Sequence, residues 1–268
     1  MRHITLDLAA ALHSAQDIAR RAGAVLRDAY HRPRHIGYKG EVDLVTWADV
    51  ESERLIVAEL REAFPEHTIL AEEGGVTSRN DDSEYTWVVD PLDGTTNFAH
   101  GVPIFAVSIA LRGPDGNLLL GVVYDPMRNE CFAATRGGGT TLNGTPIRVT
   151  EEAELGRALL VTGFAYERRT ATDGNFAVFT RFVHRTQGLL RLGTAAINLA
   201  YVACGRLDGF WAQGLYPWDV AAGILLVREA GGMVTNYTGS DEGLYEGRHI
   251  VASNGHLHKT VLAVLAEE

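Results

Sequence analysis

The segment from Trp87 to Phe98 places two carboxylates and several small polar residues in one sharp bend. An apolar run ends in Asp90, and Pro91 then enforces a turn, because proline fixes its own φ angle and disfavours helix at the preceding residue. Asp93 follows three positions later. Carboxylates held together repel each other unless a cation lies between them, and hard cations such as Mg²⁺ take oxygen ligands of this kind. The bend is therefore a candidate metal site.

The residues that follow the bend favour an anion. Gly94-Thr95-Thr96 can begin a helical turn whose first backbone N–H groups have no partner within the helix, and such groups hold phosphate. Taken alone, Asp-x-x-Asp-Gly is also an ordinary surface turn. The apolar lead-in over 87–89 favours the functional interpretation, and a metal and a phosphate at one turn indicate phosphoryl chemistry.

Other acidic residues could complete the site. An apolar segment over 69–71 leads to Glu72 and Glu73, either of which could bind a metal beside the bend or form a solvated turn. Asp219 precedes an apolar helix, where it could cap the helix, or be a partly buried charge that needs a cation as partner. Asp49 could likewise cap a helix or orient a water molecule.

Composition excludes several classes of protein. The 268 residues, 46% of them hydrophobic, suit one large domain or two tightly fused halves. No segment reaches the roughly 18 apolar residues of a membrane span, and the N-terminus lacks the apolar core of a signal peptide, so we expect a cytoplasmic protein. Two cysteines without a Cys-x-x-Cys pair predict neither disulfides nor a zinc site. The net charge of −10, without a basic stripe, argues against direct nucleic-acid binding.

The periodicity of apolar residues predicts the elements that would position these side chains. Helices are predicted over 7–30, 49–64, 176–184, 195–203, 220–229 and 257–265. Strands are predicted over 68–71, 86–89, 105–111, 118–124, 131–134, 147–149, 159–162 and 188–191. Residues 34–46 predict a hairpin or a loop, and the triple glycine at 137–139 predicts a hairpin turn. This mixture predicts layered α/β or α+β packing in a single domain over 1–268, with a soft internal boundary near 151–156.

Taken together, the motifs resemble the inositol monophosphatase family of Mg²⁺-dependent, lithium-sensitive phosphatases. The strongest are Ala71-Glu72-Glu73-Gly74, Asp90-Pro91-Leu92-Asp93-Gly94-Thr95-Thr96-Asn97-Phe98, Trp218-Asp219-Val220-Ala221-Ala222-Gly223 and Glu229-Ala230-Gly231-Gly232. The segments 42–49 and 193–196 also match, and the resemblance extends from about Leu8 to the C-terminus. It implies an αβαβα layered sandwich of the type shared with fructose-1,6-bisphosphatase, and a homodimer.

The resemblance also implies a site for two or three Mg²⁺ ions. Glu72, Asp90 and the backbone carbonyl of Leu92 would hold one ion, and a third, weaker ion would lie near Glu72. Asp90, Asp93 and Asp219 would hold another. One metal lowers the pKa of its bound water, and a second stabilises the leaving alkoxide.

The catalytic residues that the resemblance implies are Thr95 and Asp49, which would position the nucleophilic water, together with Glu72. The backbone N–H groups of Gly94 and Thr95 would cradle the phosphate. The other substrate-binding positions would be Asp93, Gly193, Thr194, Ala195 and Asp219.

One position departs from the pattern of relatives that hydrolyse inositol phosphates. These relatives commonly carry a glutamate where this chain has Ala212, and the glutamate accepts a hydrogen bond from a ring hydroxyl. Alanine cannot accept that bond, and Gln213 lies one position along the chain, which usually points elsewhere. The departure bears on substrate selectivity rather than on phosphatase activity.

Several basic residues could contact the substrate or the metal site. Arg168, Arg169 and Arg191 could bind a second phosphate, as in fructose-1,6-bisphosphate, or they could be solvated loop residues. Lys39, in a glycine-flanked segment, could close over the site and steady the metals.

Two hypotheses follow for function. In the first, the protein is a Mg²⁺-dependent phosphomonoesterase acting on a small polyol or sugar phosphate, with inositol-1-phosphate ranked ahead of fructose-1,6-bisphosphate and histidinol phosphate. In the second, it is a regulatory partner of the transcription machinery, as some bacterial relatives are. An exposed basic or apolar patch would favour the second, and the sequence displays neither clearly.

Overall fold

The computed structural model describes residues 6–32, 36–38, 44–78, 83–164 and 175–267. Its helices are α1 (Leu8–Tyr30), α2 (Trp47–Ala63), α3 (Thr95–His100), α4 (Phe176–Val183), α5 (Ala195–Ala203), α6 (Pro217–Glu229) and α7 (His258–Leu265). Its strands are β1 (Ile36–Tyr38), β2 (Leu44–Thr46), β3 (Thr68–Ala71), β4 (Gly75–Ser78), β5 (Thr86–Asp93), β6 (Ala106–Arg112), β7 (Leu118–Asp125), β8 (Glu130–Thr135), β9 (Gly139–Leu142), β10 (Thr145–Ile147), β11 (Leu159–Thr162), β12 (Gly188–Leu190), β13 (Gly209–Gln213), β14 (Met233–Thr235) and β15 (His249–Ser253).

Two large sheets organise the chain. The first has eight strands in the order β10-β9-β8-β7-β6-β5-β3-β4, and only its β3–β5 pair is parallel among the described strands. The second has five strands in the order β12-β11-β13-β15-β14, with β11 parallel to both neighbours. Strands β1 and β2 form a separate antiparallel pair, in agreement with the hairpin predicted over 34–46.

The central strands of both sheets are apolar on both faces, because each sheet lies between two layers of helices. Val89 packs with α1 and α2 on one face of the first sheet, whereas Val88 packs with α5 and α6 on the other. Phe210 faces the same α5–α6 layer from the second sheet, and Trp211 faces α4 and α7 on the outer side. Successive side chains of a strand point to opposite faces, so the neighbours Val88 and Val89, like Phe210 and Trp211, contact the helix layers on the two faces of their sheet. The layers follow the order αβαβα, which confirms the predicted fold.

Two glycines let α6 lie close to its neighbours. A Cβ on Gly121 of β7 would lie 2.8 Å from the carbonyl oxygen of Ala222 in α6. A Cβ on Gly223 would lie 2.4 Å from the side chain of Leu199 in α5. A Cβ atom cannot approach other atoms this closely, so α6 can occupy this position only because Gly121 and Gly223 have no side chains. Helix α6 carries Asp219 in its first turn.

Several local predictions need correction. Helix α2 begins at Trp47 with Thr46 as its N-cap, so Asp49 is not the N-cap that was expected. Asp49 is the third residue of the helix and completes a capping box, in which its carboxylate accepts from the backbone N–H of Thr46. The strand expected over 147–149 lies over 145–147. Strands β4, β9, β13, β14 and β15 were not predicted, because they are three to five residues long and too short for a clear alternation of apolar and polar residues. The triple glycine lies at the β8–β9 turn, as predicted.

The predicted internal boundary over 151–156 lies between the last strand of the first sheet and the first strand of the second. Helix α6 contacts strands of both sheets, among them β7 and β14. A single domain over 1–268 stays a prediction. Across the described ranges, every helix is either too short or too polar to traverse the apolar interior of a bilayer.

Candidate active site

Three aspartates from two distant segments meet at one end of the first sheet. Asp90 and Asp93 lie in the last four residues of β5, and the pairing of β5 with β6 shifts its register between them. Asp219 is the third residue of α6. One carboxylate oxygen from each of the three lies within 4.8 Å of the others. This all-oxygen donor set suits a hard divalent cation.

The carboxylates in this cluster repel one another. Asp90 is 1% exposed, and burial raises the pKa of its carboxyl well above the ordinary value. The neighbouring carboxylates of Glu72, Asp93 and Asp219 raise the pKa of Asp90 further, with Glu72 the largest of the three. Glu72 is brought there by β3, because its backbone N–H donates to the carbonyl of Val89 at 3.2 Å. A cation among these groups would relieve both the burial penalty and the repulsion.

The beginning of α5 holds Asp93 in place. Oδ2 of Asp93 accepts hydrogen bonds from the hydroxyl of Thr194 and from the backbone N–H of Ala196, the latter at 2.6 Å. Thr194 is also the N-cap of α5 and accepts from the N–H of Ile197. Burial raises the pKa of Asp93 to about 6, while the bonds from Thr194, Ala196 and Ala195 act in the opposite direction. The helix terminus thus favours the ionised form that a metal needs.

Asp219 is held by the first turn of its own helix. The backbone N–H of Tyr216 donates to its Oδ2 at 2.7 Å. The carbonyl of the neighbouring Trp218 accepts from the hydroxyl of Ser108 at 3.2 Å. Ser108 lies on β6 directly opposite Asp90 in the strand pairing. Ser108 therefore ties the beginning of α6 to the strand pair that carries Asp90.

A further carboxyl group, that of Asp49, lies next to the hydroxyl of Thr95. The hydroxyl of Thr95 lies 3.0 Å from Oδ1 of Asp49 and 3.1 Å from the carbonyl of Leu92. Oδ2 of Asp49 accepts from the backbone N–H and the hydroxyl of Thr46, at 2.8 and 2.5 Å. Burial raises the pKa of Asp49 to about 6, against the effect of these bonds. Asp49 is therefore a buried carboxyl that can take up a proton near neutral pH.

The turn predicted at Asp90-Pro91 is wrong, because β5 continues through Pro91 to Asp93 with only a shift in its pairing with β6, and the chain turns at Gly94. Gly94 is the N-cap of α3 with φ = 100°, a left-handed conformation that favours glycine. A Cβ on Gly94 would lie 3.1 Å from the carbonyl oxygen of Ile104. The N–H of Leu92 donates to Oδ1 of Asp90 at 2.9 Å. The predicted roles of the Leu92 carbonyl as a metal ligand and of the Gly94 and Thr95 amides as a phosphate cradle stay predictions.

The segment 193–195 lies beside this turn. A Cβ on Gly193 would lie 3.0 Å from the side chain of Asn97, which follows Thr95 in α3. Asn97 in turn donates from Nδ2 to the carbonyl of Leu192 at 2.7 Å. The hydroxyl of Thr194 and the backbone N–H of Ala195 donate to the carboxylate of Asp93 and lower its pKa. Contact of Gly193, Thr194 and Ala195 with a substrate stays a prediction.

Of the other residues singled out in the sequence, Arg191 is exposed and Ala212 is buried. The guanidinium of Arg191 is exposed and lies 5.6 Å from the ring centre of Phe164, and its contact with a second phosphate stays a prediction. Lys39, Arg168 and Arg169 lie outside the described residues. Ala212 is fully buried on β13, on the face toward α5 and α6.

Sequence reasoning missed several residues that position the site. Of these residues, only Thr46 could have been found from the sequence, because Thr46-x-x-Asp49 has the spacing of a capping box. Ser52 donates to the carbonyl of Pro91 at 2.8 Å, and Glu53 accepts from the N–H of Glu73 at 2.8 Å. The partners of Ser52, Glu53 and Ser108 lie far away in the sequence, so no local pattern reveals them.

Comparison with known proteins identifies the family. The sequence model described as "Inositol monophosphatase family" matches residues 7–268. The chain is 46% identical to an inositol-1-monophosphatase of Synechocystis sp., over 97% of this chain and 90% of that protein. It is also 46% identical to the Nus factor SuhB of Pseudomonas aeruginosa, over 95% of each chain. The solved structure of an inositol monophosphatase from Anabaena (Nostoc) sp. superposes with a TM-score of 0.88 at 45% identity, covering 97% of this chain and 96% of that one. On this evidence, the chain belongs to the inositol monophosphatase family.

Proposed function

We propose that this protein is a Mg²⁺-dependent phosphomonoesterase that hydrolyses a small polyol or sugar phosphate, with inositol-1-phosphate as the first candidate substrate. The observation that carries the proposal is the convergence of Asp90, Asp93 and Asp219 within 4.8 Å, with Glu72 acting on Asp90. Three aspartate carboxylates this close together, with the charge of Glu72 also acting on Asp90, repel one another in the absence of cations. The name of the Synechocystis relative supports the choice of inositol-1-phosphate, and fructose-1,6-bisphosphate and histidinol phosphate are the next candidates.

We expect the donor set to hold two or three Mg²⁺ ions. Glu72, Asp90 and the carbonyl of Leu92 would hold one ion, and Asp90, Asp93 and Asp219 would hold another. Any third, weaker ion would depend on Glu72. When bound, the ions acidify water and neutralise the charge that develops on the phosphate and the leaving oxygen. We also expect inhibition by lithium, as is typical of the family.

The protein's own groups then position and deprotonate the attacking water. The hydroxyl of Thr95 has two acceptors in reach, Oδ1 of Asp49 at 3.0 Å and the carbonyl oxygen of Leu92 at 3.1 Å. We propose that it donates to Asp49, which leaves the lone pairs of Oγ1 to accept a hydrogen bond from water. Asp49, with a pKa of about 6, can take up the proton that Thr95 relays. The backbone N–H groups of Gly94 and Thr95 are proposed to hold the phosphate oxygens at the beginning of α3.

A panel of substrates tests this proposal. Phosphate release would be measured with inositol-1-phosphate, fructose-1,6-bisphosphate and histidinol phosphate, with Mg²⁺ and with a chelator. We expect turnover with Mg²⁺ only, and loss of turnover in Asp93→Asn. Met233→Ser, an exposed position outside the site, serves as the matched control. Turnover that persists in the chelator, or in Asp93→Asn, would refute the metal mechanism.

The name of the Pseudomonas relative supports a second candidate function, as a regulatory partner of the transcription machinery. The two functions can coexist in one protein. Asp93→Asn separates them, because it should abolish turnover and leave binding of transcription factors intact. A homodimer is also proposed, and sedimentation velocity would test it.

A further inference from the structure

We propose that a cavity at the C-terminal end of α6 binds a small apolar α-amino acid in its zwitterionic form. The guanidinium of Arg136 holds the carboxylate of the ligand, the carboxylate of Glu229 holds its ammonium group, and an apolar wall packs against its side chain. Asp219 lies in the first turn of α6 and Glu229 is its last residue, so about 15 Å of helix separates the cavity from the acidic cluster. The inference is therefore independent of the proposed phosphatase function.

The cavity is large enough for a short aliphatic side chain. It lies between the beginning of β7, the residue that follows β8, the last turns of α6 and Tyr245, and its volume is about 170 Å³. An apolar cavity of about 150 Å³ can hold a benzene molecule. A branched side chain of four carbon atoms, such as that of leucine, therefore fits.

One wall of the cavity is apolar. Leu118 of β7 and Ile224 and Leu225 of α6 line it, and all three belong to the buried core between the two sheets. An aliphatic group placed against them leaves water, which favours binding in proportion to the apolar area covered.

Arg136 retains most of its hydrogen-bonding capacity. Within the described part of the chain its guanidinium donates once, from Nη1 to Oδ2 of Asp115 at 2.9 Å. Both side chains of this pair are about half exposed, and exposed ion pairs contribute little to stability. A guanidinium has five N–H groups. Those that remain can hold a carboxylate through two parallel hydrogen bonds.

Glu229 presents a fixed negative charge to the same cavity. Its Oε1 accepts from the backbone N–H of Gly137 at 2.8 Å, and its Oε2 accepts from the N–H of Gly139 at 3.0 Å. These bonds orient the carboxylate, and each oxygen can still accept a second hydrogen bond. Among the described residues Glu229 has no ion-pair partner. Arg136 directly precedes Gly137, so the two opposite charges lie close together without pairing with each other.

The remaining basic residue of the wall is already engaged. Nη2 of Arg228 donates to Asp241 at 2.7 Å and to the carbonyl of Val234 at 3.0 Å, and Nη1 donates to the hydroxyl of Tyr245 at 3.4 Å. Arg228 therefore shapes the cavity, and Arg136 is the group available to a ligand.

The two charges select a zwitterion. A ligand that is only an anion meets the negative charge of Glu229, and a ligand that is only a cation meets the positive charge of Arg136. An α-amino acid carries a carboxylate and an ammonium group on one carbon atom, so it can pair with both side chains at once. Its side chain then extends from the same carbon atom toward the apolar wall.

Calorimetric titration of the full-length protein with L-leucine tests the proposal. The comparison ligands are 4-methylpentanoate, which lacks the ammonium group, and 3-methylbutylamine, which lacks the carboxylate. We expect each of them to bind about tenfold more weakly than leucine, or worse. Equal affinity for leucine and either comparison ligand, or no binding of leucine, would overturn the proposal.

Two variants assign the charges. Arg136→Gln should weaken leucine binding about tenfold and leave the affinity for 3-methylbutylamine unchanged. Glu229→Gln should weaken leucine binding and leave that for 4-methylpentanoate unchanged or stronger. Arg157→Gln is the matched control, because Arg157 is an exposed arginine that pairs with Glu154 outside the cavity. Wild-type affinity for leucine in Arg136→Gln would refute the site.

The test does not depend on catalysis. Titrations are made without Mg²⁺ and without a phosphate ester, so failure of the phosphatase function leaves their outcome unaffected. Thermal unfolding checks that Glu229→Gln is folded, since Glu229 also holds the turn at Gly137. If that variant is unfolded, the two comparison ligands and Arg136→Gln decide the question.

Discussion

The hydroxyl of Thr95 contacts Oδ1 of Asp49 at 3.0 Å, although 46 positions separate the two residues in the sequence. Both residues are buried, Asp49 in the first turn of α2 and Thr95 at the beginning of α3. The contact joins a carboxyl with a raised pKa to a hydroxyl that follows the acidic bend by two residues. It is the structural basis for assigning the positioning of water to this pair.

Replacing Thr95 with valine keeps the shape of the side chain and removes its hydroxyl. We expect kcat to fall about 10²- to 10⁴-fold, because the relay to Asp49 is lost, with little change in KM. Steady-state phosphate release from inositol-1-phosphate would measure this. Thr95→Ser should stay within about tenfold of the wild type. A Thr95→Val protein with wild-type kcat would remove Thr95 from the mechanism.

Asp49 makes the metal-free protein less stable as the pH rises. Its pKa is about 6 in the folded protein against an ordinary value of 3.8, so ionisation is harder in the folded state. The stability that its protonated form contributes is therefore present below about pH 4 and is lost as the pH rises to about 6. Relative to Asp49→Asn, we expect the wild type to lose on the order of 2 kcal/mol between pH 4.5 and pH 7. Urea unfolding in a chelator at pH 4.5 and pH 7 measures the difference, and equal pH dependence of both proteins would contradict it.

Asp90→Asn should stabilise the metal-free protein while it abolishes activity. Burial and the charges of Glu72, Asp93 and Asp219 all raise the pKa of Asp90, so its ionised form is unfavourable at neutral pH. An amide removes that charge. Thermal unfolding at pH 7.5 in a chelator should show a higher Tm for Asp90→Asn than for the wild type. Added Mg²⁺ should raise the Tm of the wild type only, and a similar rise in the variant would argue against Asp90 as a ligand.

The close approach of α6 to the first sheet can be tested at Gly121. A Cβ there would lie 2.8 Å from the backbone oxygen of Ala222, and backbone atoms cannot move aside cheaply. We expect Gly121→Ala to destabilise the protein by about 1–3 kcal/mol. Gly156→Ala is the matched control, since its Cβ would meet no atom within 4 Å. Denaturant unfolding compares the two, and equal stability would show that α6 shifts freely.

Much of the fold could be predicted because its signals are local. The helical spacing of apolar residues predicted α1, α5, α6 and α7, and continuous apolar runs predicted β5, β6, β7 and β8. The short strands β14 and β15 were not predicted, since a segment of three to five residues carries little periodicity of its own. They exist because β13 provides an antiparallel partner for β15, which then pairs with β14.

The sequence by itself determined the apolar approach to Asp90, the glycine turn after Asp93 and the resemblance to the family, because each of the motifs that carry them is a short run of neighbouring residues. Only the tertiary structure decided which groups act on those acids. Thr194 reaches Asp93 across 101 positions, and Ser108 reaches Trp218 across 110. The raised pKa values of Asp49 and Asp90 likewise arise from burial and from neighbouring charges. Burial and contacts between distant segments are properties of the packed layers, and no stretch of sequence encodes them alone.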